Sequence, residues 1–385
     1  MKSNYDVLGN YIRLIDTRNK DNKTNKVMGI NIDKFFMPSV ANVIGTDLSK
    51  YKLITKGKFA CNPMHVGRDE RLPVALYEEV EPALVSPAYF MFEIIDNNVL
   101  DENYLMMWFR RAEFDRICWL HTDGSVRGGI TWDDICRMEI PVPKIGEQRK
   151  IVEAYKIVED RIELKRKING NLDDAMQAIY KYYFVEFEPF KTEPIQATKL
   201  GEIPESWNIS KLSDLCELLN GRAYSQEELL YSGKYRVLRV GNFFTKSSWY
   251  YSDMELDKNK YCYPNDLLFC WSASFGLYIW NDVKTIYHYH IWKIDFSKTS
   301  QLYREYIYLY LKQQVEKLSK EGHGSVMAHL TKNSVENLDI ISPPMDVIIK
   351  FHNTILPFIE HKKLLEKEIQ LLSELQESYC SKLAN

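Results

Sequence analysis

No stretch of this sequence approaches the ~20 apolar residues that a membrane helix needs, and Met1–Asp6 has no apolar segment of the signal-peptide kind. Its seven cysteines, at 61, 118, 136, 216, 262, 270 and 380, are odd in number and never form Cys-x-x-Cys. That spacing speaks against a disulfide framework and a zinc site, and it leads us to expect a reducing cytoplasm. A Gly-x-x-x-x-Gly-Lys phosphate loop is missing, which removes the usual route to ATP hydrolysis. Also missing is an excess of positive charge. The formal net charge is −3 and no segment is basic overall, so composition alone does not point to nucleic acid. A DNA-binding surface on such a chain has to be one face of a charge-asymmetric domain, or be completed by a partner.

What the chain does contain is an ordinary globular mixture, 45% hydrophobic and 27% charged, with 25 tyrosines. Its 385 residues suit two or three domains. The strongest signal is internal repetition. Gly124-Ser125-Val126 returns as Gly324-Ser325-Val326, Thr131 as Thr331, Ile140 as Ile340 and Pro143 as Pro343, always 200 positions on. Upstream the match is looser: Phe59-Ala60-Cys61 resembles Leu268-Phe269-Cys270, Phe90–Ile94 resembles Ile291–Asp295, and Tyr104–Phe109 resembles Tyr306–Leu311. Each copy then enters a long heptad stripe. In the first it runs Ile151, Tyr155, Val158, Ile162, Lys165, Asn169, Leu172, Met176, Ile179, Tyr183; in the second, Phe351, Ile355, Phe358, Lys362, Leu365, Ile369, Leu372, Gln376, Tyr379, Leu383. Lys165 and Asn169 interrupt the first stripe, where Leu164 and Ile168 offer a shifted one. Pro357 is expected to kink the second helix or delay its start. Two such helices pack most simply on each other, antiparallel if the repeats are two-fold related.

The residues before each helix read as mixed α/β, with short strand-like runs at Tyr235–Val240 and Tyr287–Trp292 and helical spacing over Tyr303–Leu318. Phe187–Lys199, with Pro189 and Pro194, reads as a linker. Apparent chemistry has plainer readings. Ser342-Pro343-Pro344-Met345 has the outline of an amino-methyltransferase loop but lacks its aromatic, and a strand-to-helix turn accounts for it. Glu163-Leu164-Lys165 fits an exposed helix face better than a nuclease metal site. Strand alternation would put His288 and His290 on one face, yet no acid or cysteine with zinc-ligand spacing accompanies them.

Several of these strings resemble the specificity subunits of type I restriction–modification systems. Gln148-Arg149-Lys150-Ile151-Val152 after Pro-x-Pro and the run Ala178–Phe184 look like the central conserved region of that family. Leu200-Gly201-Glu202-Ile203-Pro204-Glu205-Ser206-Trp207, followed by Asn220-Gly221-Arg222, looks like the opening of its second recognition domain. The second helix departs from the pattern, with Ile348-Ile349-Lys350 where the first has Gln148-Arg149-Lys150. The resemblance implies an α/β (α+β) chain with two target-recognition domains in pseudo-two-fold repeat, separated by an antiparallel two-helix coiled coil. The expected boundaries are 1–143, 144–190, 191–343 and 344–385 for first domain, central helix and linker, second domain and C-terminal helix. It further implies a non-catalytic, cofactor-free subunit that binds double-stranded DNA at a bipartite site and scaffolds methyltransferase subunits and, through the complex, restriction–translocase subunits, with no membrane partner. A duplicated coiled-coil adaptor that binds protein and not DNA is the alternative.

Candidate DNA-contacting residues in the first domain are Asn62, His65, Arg68, Arg71, Gly124, Ser125 and Arg127. In the second they are Arg222, Arg236, Arg239, Ser272, Ser274, His323, Gly324 and Ser325. Arginine's forked donors suit guanine and phosphate, asparagine suits adenine, and paired glycine turns can bring backbone N–H groups to a phosphate.

Overall fold

A computed structural model describes residues 5–40, 43, 45–64, 66–122, 128–244, 248–272, 275–321 and 331–382, without the side chains of 68, 316–321 and 382. The chain divides into two compact units, Met1–Lys165 with Glu368–Asn385, and Arg166–Lys367.

In the first unit, strands β1 (Ile12–Leu14), β2 (Phe59–Cys61), β3 (Val74–Leu76) and β4 (Phe90–Ile94) form an antiparallel sheet of order β1-β4-β2-β3. In the second, β5 (Glu217–Asn220), β6 (Leu267–Cys270), β7 (Gly276–Ile279) and β8 (Ile291–Asp295) form an antiparallel sheet of order β5-β8-β6-β7. The non-sequential order is the same, and the agreement extends to single bonds. Strand Tyr5–Val7 pairs with Glu139–Pro141, as Asn208–Lys211 pairs with Asp339–Ser342. The Leu8 amide donates to the Met138 carbonyl (2.8 Å) and the Leu212 amide to the Leu338 carbonyl (2.9 Å). The Tyr104 hydroxyl donates to the Pro141 carbonyl (3.1 Å), and that of Tyr306 to Ile341 (2.5 Å). Thr131 and Thr331 both cap short helices, with Asp134 and Ser334 closing the capping boxes. The duplication read from the sequence is a duplicated fold.

The copies diverge around this frame. The second unit has a further four-stranded sheet, Tyr250–Ser252, Tyr235–Leu238, Thr285–Tyr287 and Tyr261–Cys262, whose middle pair is parallel at Val237↔Ile286. In the first unit Met28–Ile30 pairs with Phe36–Pro38 and Lys52–Ile54 with Ala83–Val85 as two separate two-stranded sheets, linked by the parallel bridge Val27↔Leu84 and packed together through Met28, Ile30, Ile54, Ala83 and Val85.

The long helices are Ile145–Phe184 and Met345–Lys382. Their seam is antiparallel within each unit: Tyr155 packs near Cys380 and Lys165 pairs with Glu368 in the first, while Lys362 pairs with Asp173 (2.6 Å) and Phe351 meets Phe184 (4.7 Å between ring centroids) in the second. The expected polar interruptions at Lys165 and Lys362 are thus satisfied by carboxylates of the other helix. Three expectations are corrected. Leu164 is 58% exposed, so no shifted stripe runs through it. Tyr180, Phe184 and Ile359 are buried while Ile179, Tyr183 and Phe358 are only half-buried, because a straight helix of 3.6 residues per turn drifts off a strict heptad as it enters the core. The second helix runs through Pro357 from Met345 onward, so its start is not delayed, and Pro357 lies on its exposed side.

Phe187–Lys199 is not a loose linker. Phe187 takes a left-handed backbone (φ 51°), and hairpin Ile195–Thr198/Gly201–Pro204 turns at Gly201 (φ 106°). It delivers Ile203 and Trp207 to the core, where Trp207 packs against Phe184, Phe187 and Phe190 with centroids 4.9–5.8 Å away. The specific-looking Leu200–Trp207 string therefore anchors the second domain to the end of the first long helix. The Ser342–Met345 stretch is the turn between strand Asp339–Ser342 and the second long helix, as the simple reading has it.

Candidate nucleic-acid interface

In the first domain the long connection between β2 and β3 holds Asn62, Arg71 and the short helix Val66–Asp69. The Asn62 carboxamide oxygen accepts from the Met64 amide (3.1 Å), so one of its groups is engaged in shaping the loop. Arg71 is exposed and 3.3 Å from Asp33, a surface pair of little energetic weight. The segment after position 127 lies against this connection: the Gly67 amide donates to the Gly128 carbonyl (3.0 Å) and that of Ile130 to the Pro63 carbonyl (3.1 Å). Gly129 sits so close to the Pro63 carbonyl that a Cβ there would stand 3.0 Å from its oxygen. Residues 128–130 thus lie against the connection that holds Asn62 and Arg71. His65, Gly124, Ser125 and Arg127, and the Arg68 side chain, lie outside the described residues.

In the second domain the candidate arginines differ in availability. Arg222 is held by both oxygens of Glu228 (2.6 and 3.0 Å) and lies over the Tyr224 ring. The guanidinium in turn holds the Glu228 carboxyl below its ordinary range. Arg236 is on a strand rather than a loop, bonded to Asp282 (2.8 Å) and stacked over Trp249. Arg239 is exposed, 4.6 Å over the Tyr250 ring, with no ion pair among the described residues. Ser272 is half-buried beside Trp271; Ser274, His323, Gly324 and Ser325 lie outside the described residues.

The run Tyr287–Trp292 is not one strand. Thr285–Tyr287 and β8 are separated by a tight turn, His288–Tyr289–His290, so the two imidazoles share a turn and not a strand face. Their ring centroids are 4.8 Å apart, with Tyr289 3.9 Å from His290 and Trp271 5.3 Å from it. Burial, then His290 and Arg239, push the His288 imidazole down to about 4, and burial also lowers His290. Both rings are therefore neutral near pH 7. Sequence reasoning sets a polar groove-facing or partly buried surface against metal ligation for these histidines and passes over Tyr289 and Trp271; among the described residues no group of acids, histidines and cysteines has metal-binding geometry. Lys284, also missed, sits 3.9 Å over the Tyr261 ring on an exposed edge.

Comparison with known proteins agrees with this architecture. Residues 204–371 match the family model "Type I restriction modification DNA specificity domain". The chain is similar to the type I restriction enzyme MjaIX specificity subunit of Methanocaldococcus jannaschii, 25% identical over 326 residues, 81% of this chain and 75% of that protein. It is also similar to the HindI specificity subunit of Haemophilus influenzae, 21% identical and covering 98% of both chains. The crystal structure of a type I system S subunit from M. genitalium aligns over 98% of this chain and 95% of that one, with TM-score 0.53 and 12% identity, which is a likeness of fold. With the repeated sheet order, the paired caps and the antiparallel helix seam within each unit, these matches make the chain similar in sequence and in fold to type I restriction–modification specificity subunits.

Proposed function

We propose that this chain is the sequence-reading, non-catalytic subunit of a type I restriction–modification complex, binding a bipartite site in double-stranded DNA through recognition domains 1–143 and 191–343. The helical segments 144–190 and 344–385 scaffold the methyltransferase subunits, and through them the restriction–translocase subunits, in the cytoplasm. The observation that carries the reading is the duplication itself: one sheet order, one set of caps and one Tyr-to-carbonyl bond occur twice, around loops that differ. A conserved frame with divergent loops suits two readers of two different half-sites. The match to a DNA specificity domain weighs against a protein-only adaptor. No helix among the described residues is long and apolar enough to cross a membrane.

Scaffolding needs apolar surface left over from the seam. Ile157 and Leu164, one heptad apart, are 62% and 58% exposed, and Leu371 and Leu375 of the other helix in the same unit are 55% and 43% exposed. This second stripe fits a helix of a methyltransferase subunit. Leu164→Lys should leave the chain folded and reduce co-purification with that subunit; undiminished co-purification would remove the stripe from the interface.

The purified chain alone should neither methylate nor cut DNA, while adding its cognate methyltransferase subunit should give methylation at one bipartite sequence. Exchanging residues 1–143 for the same domain of a relative should change one half of the methylated sequence and keep the other. Methyl transfer by the lone chain would overturn the reading, and loss of both halves together would overturn independent reading.

A further inference from the structure

Three connections of the second domain converge on the turn His288–Tyr289–His290, and between them they hold its main chain. The Arg222 amide donates to the Tyr287 carbonyl (3.0 Å) and the Tyr289 amide to the Arg222 carbonyl (3.0 Å). The His288 amide donates to Leu238 (2.9 Å), at the end of its strand, and the Ile291 amide closes the turn on the His288 carbonyl (3.0 Å). From the end of β6, the Trp271 amide donates to the His290 carbonyl (3.2 Å) and its indole Nε1 to the Tyr289 carbonyl (2.9 Å). Gly221 lets the chains approach this closely: a Cβ there would lie 2.3 Å from the His288 carbonyl oxygen.

The side chains of the turn are not used in this way. Among the described residues the Tyr289 hydroxyl and the His290 ring make no hydrogen bond to the protein, and Tyr289 is 40% exposed. His288 turns Nδ1 toward the His290 amide at 3.5 Å, which leaves its proton on Nε2, where no protein acceptor takes it among the described residues. A rigid turn that presents a neutral donor, a phenol and a second imidazole is poorly suited to phosphate, which attracts cations, and well suited to the edges of bases. Arg222 and Arg236 are committed to Glu228 and Asp282, whereas Arg239 beside the turn is available for the backbone.

We infer that His288, Tyr289 and His290 form the base-discriminating surface of the second recognition domain, with the His288 Nε2–H donating to a purine N7, a guanine O6 or a thymine O4 in the major groove of duplex DNA. The inference rests on the DNA-reading role proposed above. Its test uses the full chain in complex with its methyltransferase subunit, with methylation of the expressing cell's genomic DNA read by sequencing. Binding is measured on duplexes carrying the motif or single-pair replacements in its second half. In H288A, discrimination at one or two positions of the second half should collapse from roughly 10- to 100-fold toward parity. The first half should be read unchanged, and the salt dependence of binding should stay as in the parent. Arg239→Ala should weaken all sequences alike and lower the salt slope by about one.

Full discrimination in H288A overturns the inference and leaves the DNA-reading role standing. So does a uniform loss of affinity with a lower salt slope, which would mark a phosphate contact. A parent complex that reads no motif overturns the role itself. Should H288A fail to assemble, Tyr289→Phe and His290→Gln keep side-chain size and carry the same expectation, and unchanged reading in both overturns it equally.

Discussion

Positions 148 and 348 occupy the same point of the two repeats, the first turn of a long helix, and both are fully buried. Gln148 is a polar peg. Its Nε2 donates to the carbonyls of Val99 (2.8 Å) and Pro143 (2.7 Å), and its Oε1 accepts from the Asp101 amide (2.9 Å). It thereby fastens the loop that opens helix Glu102–Phe109 to the first long helix. Ile348 makes no such bonds and sits in the apolar core with Phe351 and Ile355. The second repeat does the same fastening elsewhere: Glu305, fully buried in the first turn of helix Arg304–Glu321, holds the His352 Nδ1 of the second long helix at 2.6 Å and is met by the Arg304 guanidinium (2.5 Å). The Gln/Ile difference between the copies therefore belongs to internal packing. Its lesson is that a duplicated fold preserves the job, docking a buried helix on a long one, while exchanging the chemistry that does it.

The sharpest way to break this comparison is to exchange the two residues. Gln148→Leu keeps volume but removes the bonds to the Asp101 amide and to the part-buried Val99 and Pro143 carbonyls, and should cost about 2–3 kcal/mol. Ile348→Gln places an amide in a core with nothing to bond and should cost at least as much. Denaturant unfolding checks both, and a near-neutral Gln148→Leu would show that the peg is not what holds the loop.

A second contrast lies in the seam. Asp173 serves two lysines of its unit, Lys362 (2.6 Å) and Lys312 (3.0 Å), all mostly buried, whereas Glu368, which pairs with Lys165, is half exposed. Asp173→Ala should cost about 2 kcal/mol, short of the loss for a fully buried pair. Glu368→Ala should cost under about 1 kcal/mol, as exposed pairs do. Equal costs would mean that burial does not grade the two pairs. The Asn169 side-chain oxygen and the Gln177 amide nitrogen flank this pair on successive turns, buried and without a hydrogen-bond partner among the described residues, which marks the stretch as the polar part of an otherwise apolar seam.

The parts of this molecule legible in the sequence are those imposed by periodicity and repetition. Apolar spacing disclosed the long helices, and a constant offset disclosed the shared frame, because buried positions such as Ile140/Ile340 and caps such as Thr131/Thr331 admit few residue types. Pairings set by three-dimensional approach were hidden. Nothing local shows that Arg222 is spent on Glu228, that Arg236 faces Asp282 from 46 positions away, or that Lys34, in a left-handed turn (φ 67°), is buried against Asp115. The His288–His290 turn was missed for another reason. Alternating aromatic and imidazole residues mimic a strand, and only the close approach permitted by Gly221 makes them a turn.

The smallest expected difference lies in the caps. At neutral pH, Thr131→Ala and Thr331→Ala should each cost about 1 kcal/mol, since each hydroxyl accepts from the third amide of its short helix (3.2 and 3.1 Å). The returning arm of the box differs. Ser334 cannot titrate, but the Asp134 carboxylate accepts from the Thr131 amide (3.2 Å) and hydroxyl (2.5 Å) and from Arg137 (2.6 Å). Those bonds, the Thr131 hydroxyl foremost, hold the Asp134 carboxyl below its ordinary value of 3.8. A carboxyl whose folded-state value lies below its unfolded one stabilises fully above the unfolded value, and that contribution is lost as pH falls through the folded one. The first cap should therefore weaken in acid below about pH 4, while the second keeps its strength. The cap lies at the surface, with Thr131 exposed and the Asp134 side chain 15% exposed, so screening keeps the effect modest. A carboxyl-carbon NMR titration of Asp134 should give a midpoint under 3.8, and Asp134→Ser should make the cost of Thr131→Ala independent of pH, as it is for Thr331→Ala. A midpoint at or above 3.8 would make the two caps equivalent and remove the asymmetry.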